Sequence, residues 1–136
     1  MVRQIEFELA EVRRGLHLIT SVIEKNAGNL PENGLLNIAL MHTSASIIIN
    51  ENADPDARAD FESFMNRLVP ENDVHFIHTI EGLDDMPAHI KSSLFGQSLS
   101  IPISRHSIKL GIWQGIYLCE FRNQGGARRF VITILS

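Results

Sequence analysis

Residues 4–9 read QIEFEL, with Ile5, Phe7 and Leu9 alternating with Gln4, Glu6 and Glu8. A period of two puts the apolar set on one side of an extended chain, the signature of a strand with one buried face. Further extended segments supply partners: "GLHLIT" continues as a second strand, and "LLNIALM" and "SIIIN" read as buried strands. "SLSIPIS", "SIKLG", "IWQGIYLCEFR" and "RRFVITIL" are four more strand candidates, and the last two are expected to form a hairpin across "NQGGA". "VHFIH" is another strand candidate.

Helices are fewer. Ser21 followed by Glu24 makes a capping-box pattern and Gly28 a left-handed stop, which predicts a short helix in the low twenties. Asp54-Pro55 is a helix start, because the aspartate accepts backbone N–H bonds while proline lacks only a donor that the first turn leaves unused. That helix carries Ala57, Phe61, Phe64, Met65 and Leu68 on one face and ends at Pro70. A third runs from Pro87 to Phe95 before Gly96. The expectation is a strand-rich α+β domain with two or three short helices.

With 136 residues and 44% hydrophobic content, one domain with one sizeable core is expected, and no repeat or linker divides the chain. Twelve Lys and Arg against 16 Asp and Glu, a net charge of −4, argue against a nucleic-acid or membrane-surface partner. Cys119 has no cysteine to pair with, no apolar run approaches the roughly 18 residues of a spanning helix, and the N-terminal residues lack a signal-type apolar core. A cytoplasmic protein is expected.

Chemistry concentrates in "EGLDDMPAHIK", residues 81–91. One aspartate there accounts for a helix cap. Glu81, Asp84 and Asp85 together repel unless a cation, a basic side chain or a shared proton relieves them. Most histidines in a domain are packed or solvated, and His17 and His106 have no acid beside them. His42 ends a strand and leads into Thr43 and Ser44, and His78 leads into the acids. His75, three residues earlier, would point to the opposite strand face. His89 falls in the first helical turn, where the dipole favours the neutral, metal-binding imidazole. His42, His78 and His89 are therefore candidate ligands for a divalent metal, with Glu81, Asp84 and Asp85 as candidate acid/base groups. Candidate phosphate ligands are Thr43, Ser44, Ser46, Lys91 with Ser92 and Ser93, Arg122, Arg128 and Arg129. Trp113, with Gln114 and Gly115, could form a platform for a flat heterocycle.

The strings "HTSASIIINENADPD", "HTIEGLDDMPAHIKSSLFGQSLSIPI", "GIWQGIYLCEFR" and "GGARRFVITI" resemble the YjbQ family, also called secondary thiamine-phosphate synthase enzymes. The resemblance runs from about residue 40 onward and more weakly before it. It implies a β-sandwich-like core, a homotrimer, and a weak activity that joins a hydroxymethylpyrimidine diphosphate to a thiazole phosphate with release of diphosphate. It also implies that zinc or magnesium assists and that the substrate is a small phosphorylated metabolite. The implied site comprises His42, Thr43, Ser44, His78, Glu81, Asp84, Asp85, His89 and Lys91, with Trp113, Gln114, Glu120 and Arg122 opposite. Two positions depart from the family pattern: Ile112 replaces its usual threonine, and the turn "SRHSIKLG" has His106 or Ser107 where a glycine is usual. A non-catalytic metal- or metabolite-binding trimer is the alternative.

Overall fold

A computed structural model describes residues 1–136. The elements are β1 (Val2–Leu9), β2 (Gly15–Leu18), α1 (Thr20–Ala27), β3 (Asn33–Leu40), β4 (Ala45–Glu51) and α2 (Pro55–Leu68). They continue with α3 (Asp85–Phe95), β5 (Ser98–Ser104), β6 (Ser107–Ile108), β7 (Gln114–Glu120) and β8 (Arg128–Leu135). All pairings are antiparallel and build two sheets, one ordered β1-β8-β3-β5-β6 and one ordered β2-β7-β4. The α+β expectation holds.

The two sheets close on a core to which α1 contributes Ile23, β3 Leu36 and Ile38, β7 Ile116 and Leu118, and β8 Phe130 and Ile132. The other face of the small sheet carries Tyr117 and Cys119, covered by Met65 of α2 and Ala88 of α3. β7 is thus buried on both faces, which is why its sequence is a nearly unbroken apolar run. β1 is half-buried, and Phe7 stacks on Phe130 with ring centroids 5.0 Å apart.

Four expectations change. The β7–β8 hairpin does not form: the two strands belong to different sheets, so the segment between them crosses from one sheet to the other. Gly126 does take a left-handed φ of 73° there, and a Cβ on Gly125 would stand 2.4 Å from Glu120 Oε1. "VHFIH" is not a strand, and residues 69–84 contain no helix or strand. The His75 amide instead donates to Asp73 Oδ1 at 2.9 Å, a local turn bond that competes with sheet pairing.

The other two changes concern helices. α1 begins at Thr20 without a side-chain cap. The Thr20 hydroxyl accepts from the Ile116 amide at 2.9 Å, tying the helix start to β7. α2 starts as expected, with Asp54 Oδ1 accepting from the Asp56 amide at 2.9 Å. Of its predicted apolar face, Met65 is buried while Phe64 and Leu68 remain exposed.

Candidate functional site

The acids of "EGLDDMPAHIK" do not cap the helix they precede. Asp84 occupies the N-cap position of α3, yet its side chain makes no capping bond. Its Oδ2 accepts from Arg122 Nε at 3.0 Å and from the Asn123 amide at 2.9 Å. Asp85 Oδ1 accepts from Arg122 Nη1 at 2.6 Å, and the third guanidinium nitrogen reaches the Glu81 carbonyl at 3.0 Å. A single arginine just beyond β7 thus gathers the loop before α3, and the repulsion between the acids is relieved by its planar fork. Burial pushes both aspartates up, but hydrogen bonds outweigh it and hold each below the usual carboxylate range. For Asp84 those bonds come from the Asn123 amide and Arg122, and for Asp85 from His78 together with the charges of His89 and Arg122. Burial works against the Arg122 charge, but the Asp84 bond together with the charges of Asp84, Asp85 and Glu81 outweighs it and raises its pKa. The Glu81 side chain is exposed, and only its carbonyl joins the network.

Asp85 Oδ2 faces two imidazoles. His78 Nε2 lies 2.6 Å from it and His89 Nε2 3.1 Å. Asp85 and His89 are four residues apart on one helix face, while His78 comes in from the irregular segment. His89 Nδ1 lies 2.7 Å from the Thr43 carbonyl, so that nitrogen carries the proton and donates. In a neutral His89 the Nε2 lone pair then points at a carboxylate oxygen, two acceptors face to face. A proton or a cation between them resolves the conflict. The three ligand atoms lie within 4.8 Å of one another. Two imidazole nitrogens and one carboxylate oxygen, with the second carboxylate oxygen fixed by Arg122 and one imidazole fixed by a carbonyl, fit a zinc-type divalent ion. Asp85 is buried, both histidines are partly open, and a cavity of about 140 Å³ lies beside His78, lined also by Glu71, Phe76 and Met86.

The remaining expected residues are dispersed. His42 is not in this cluster: its Nε2 accepts from the Arg129 amide at 2.8 Å. Burial and the Arg128 charge lower its pKa, consistent with a neutral acceptor. The three-histidine set is therefore replaced, within this chain, by His78, His89 and Asp85. The i,i+4 spacing of Asp85 and His89 was the available signal for it. Thr43 contributes its carbonyl, and the Ser44 carbonyl accepts from Arg128 Nη2 at 3.3 Å.

Lys91 projects from another face of α3, 1% exposed, and donates to Asn66 Oδ1 at 2.7 Å. Burial lowers its pKa to about 8. Glu120, also 1% exposed, gives both carboxylate oxygens to Arg128, at 2.7 and 2.5 Å. Trp113 and Gln114 sit at the far end of β7 from Glu120, about 20 Å away at roughly 3.3 Å per strand residue. Within one chain they do not share a pocket with His78 and His89.

A family model described as UPF0047 protein YjbQ-like matches residues 4–136. The chain belongs to the YjbQ family. The YjbQ protein of Salmonella typhimurium is 48% identical over 128 residues, covering 93% of this chain and 92% of the relative. That of Escherichia coli O157:H7 is 47% identical with the same coverage. Among solved structures, a YjbQ-family protein from Clostridium acetobutylicum superposes with a TM-score of 0.80 at 36% identity, over 96% of this chain and 99% of that one. A protein of unknown function from Sulfolobus solfataricus reaches 0.86 at 21% identity, covering 100% of this chain and 98% of its own, a likeness of fold.

Proposed function

We propose that this member of the YjbQ family is a metal-assisted transferase of thiamine-phosphate synthase type, acting on small phosphorylated metabolites and working as a homotrimer. The observation that carries the reading is the convergence of His78 Nε2, His89 Nε2 and Asp85 Oδ2 on one point, backed by Arg122. In the reaction, the thiazole nitrogen forms a bond to the pyrimidine methylene carbon as the C–O bond to diphosphate breaks, and diphosphate departs with the electron pair. His78, Asp85 and His89 would hold a divalent ion, which would supply positive charge where the leaving group becomes negative. The nitrogen-rich donor set favours zinc over magnesium.

This chain's residues have separate tasks. Arg122 keeps the Asp85 carboxylate in place, and the Thr43 carbonyl holds the proton on His89 Nδ1 so that Nε2 stays a ligand. His78, nearly half exposed, is the member that an incoming substrate meets.

Assembly is supported by the segment that carries His78. Val74, Ile77, Ile80 and Leu83 flank it, with Ile77 96% and Ile80 99% exposed, and Phe64 and Leu68 of α2 are exposed as well. Exposed apolar residues in such number on a small domain favour covering by another chain. A second chain is also the only route by which Trp113 and Gln114 can reach the site.

The test pairs zinc binding with product formation. Wild type is expected to bind about one zinc per chain and to form thiamine phosphate from the two substrates, and folded His78→Ala to do neither. Zinc held by wild type without product would favour a binding protein, and full zinc occupancy in His78→Ala would refute the site.

A further inference from the structure

Between β2 and α2 lies a groove of about 730 Å³, lined by Arg13, Arg14, Arg58, His17, Glu62 and Leu18 among others and sharing no lining residue with the cavity beside His78. Three guanidinium groups share it in a chain whose net charge is −4. They are held in different ways. Arg14 is paired with Glu71 and also donates from Nη2 to Asn66 Oδ1 at 2.9 Å. Arg58 lies over the Tyr117 ring, 5.3 Å from its centroid, and its Nε donates to the Tyr117 hydroxyl at 3.0 Å. That hydroxyl, on a fully buried tyrosine, donates to the Glu51 carbonyl at 2.7 Å. The stem of Arg58 is thus anchored while both of its terminal nitrogens lack a protein acceptor. Arg13 has no side-chain partner, and the His17 ring nitrogen that meets the Arg13 carbonyl at 2.6 Å fixes the turn from which it projects.

Preoriented, partnerless guanidinium nitrogens in a concave surface are the arrangement that binds phosphate oxygens in bidentate fashion. Glu62 is the one carboxylate in the groove, lies against Gly15 and has no cationic partner. It opposes an anion and sets a limit on affinity. Leu16 and Leu18 give the floor an apolar strip on which an organic body can rest. The volume falls in the roughly 300–1,000 Å³ range of small-molecule sites.

We propose that this groove is a second site, separate from the metal cluster, that binds the phosphate or diphosphate group of a small metabolite through Arg13 and Arg58, with Glu62 weakening the interaction. The inference does not depend on the reading of the metal cluster. The probe is inorganic diphosphate, titrated calorimetrically into the metal-free full chain at low salt. One saturable site per chain is expected.

Arg13→Ala, at an exposed side chain with no partner to lose, should weaken binding by about tenfold, and Arg58→Lys, which cannot form the bidentate fork, by a similar factor. Glu62→Gln should tighten it by about threefold, a gain that a merely structural role for Glu62 does not produce. His89→Ala should leave it unchanged. No saturable binding, or binding indifferent to Arg13 and lost in His89→Ala, overturns the proposal, the second result placing the anion at the metal cluster.

Discussion

The pair Glu120–Arg128 gives the sharpest quantitative test of how the two sheets are joined. Glu120 closes β7 in the small sheet and Arg128 opens β8 in the large one, and both side chains are almost wholly removed from water. Glu120 Oε1 takes Arg128 Nε at 2.7 Å, Oε2 takes Nη2 at 2.5 Å and also the Arg122 amide at 3.2 Å. In Glu120→Leu, Arg128 keeps a single partner, the Ser44 carbonyl at 3.3 Å. An uncompensated buried charge of this kind costs about 3–5 kcal/mol. Arg128→Met strands the carboxylate in the same way and is expected to cost a similar amount. Replacing both removes the two desolvation penalties together, so Glu120→Leu/Arg128→Met should lie within about 1–2 kcal/mol of wild type. The coupling energy from the cycle is then about 6 kcal/mol, far above the range of exposed pairs. Urea unfolding at fixed protein concentration is the assay. With a slope near 2 kcal/mol per molar, each single variant loses about 2 M in midpoint and the double variant regains most of it. A double variant as unstable as the sum of its parts would refute the account, as would a single variant losing under about 1 kcal/mol.

Three further outcomes are expected. Arg105 and His106 both have positive φ, 54° and 64°, in the two-residue turn between β5 and β6, and Arg105 makes no side-chain bond there. Arg105→Gly should therefore stabilise the fold by about 0.5–1 kcal/mol, read as a raised melting temperature. Lys91 is buried with its pKa lowered to about 8 against an ordinary 10.5, so the unfolded chain binds more protons between those values. Stability should rise as pH goes from 8 to 10.5, by at most about 3 kcal/mol, and Lys91→Met should abolish the rise in pH-dependent denaturation. The depressed pKa values of Asp84 and Asp85 act in the other direction of pH. Their stabilisation is complete above the ordinary value of 3.8 and is lost as pH falls through the lower folded values, and Arg122→Met should flatten that acid loss.

Periodic features were legible in the sequence. The alternation in β1 and the Asp54-Pro55 cap are set by neighbouring residues, and both appear as read. The split of β7 and β8 between sheets was hidden because "NQGGA" has the residues of a hairpin turn. The crossing is accompanied by the buried Glu120–Arg128 pair and by the close approach of both side chains to Gly125, which are tertiary facts. "VHFIH" has strand-like residues but pairs with none of the sheet edges, and the local bond from the His75 amide to Asp73 competes with its propensity. At the site, the sequence groups His78 and His89 with the acids of residues 81–85, but it points to His42 as the third ligand and to Asp85 as an acid/base group, where the structure puts Asp85 between the two imidazoles. His42 resembles the other two histidines in sequence, but the Arg129 amide occupies its Nε2.

The position of β8 has a consequence for how the chain reaches this structure. Val2 pairs with Leu135 and Leu40 with Phe130, so β8 slots between two strands synthesised long before it. Until it emerges from the ribosome, β1 and β3 flank a gap one strand wide, each with an unsatisfied backbone edge. Contacts of such long sequence separation are formed late and slowly, on a timescale of milliseconds to seconds by topology alone. Nascent chains stalled before residue 128 should accordingly be the species that chaperones hold, and the alternating glutamates Glu6 and Glu8 on β1 are the charges that discourage a foreign strand from filling the gap first.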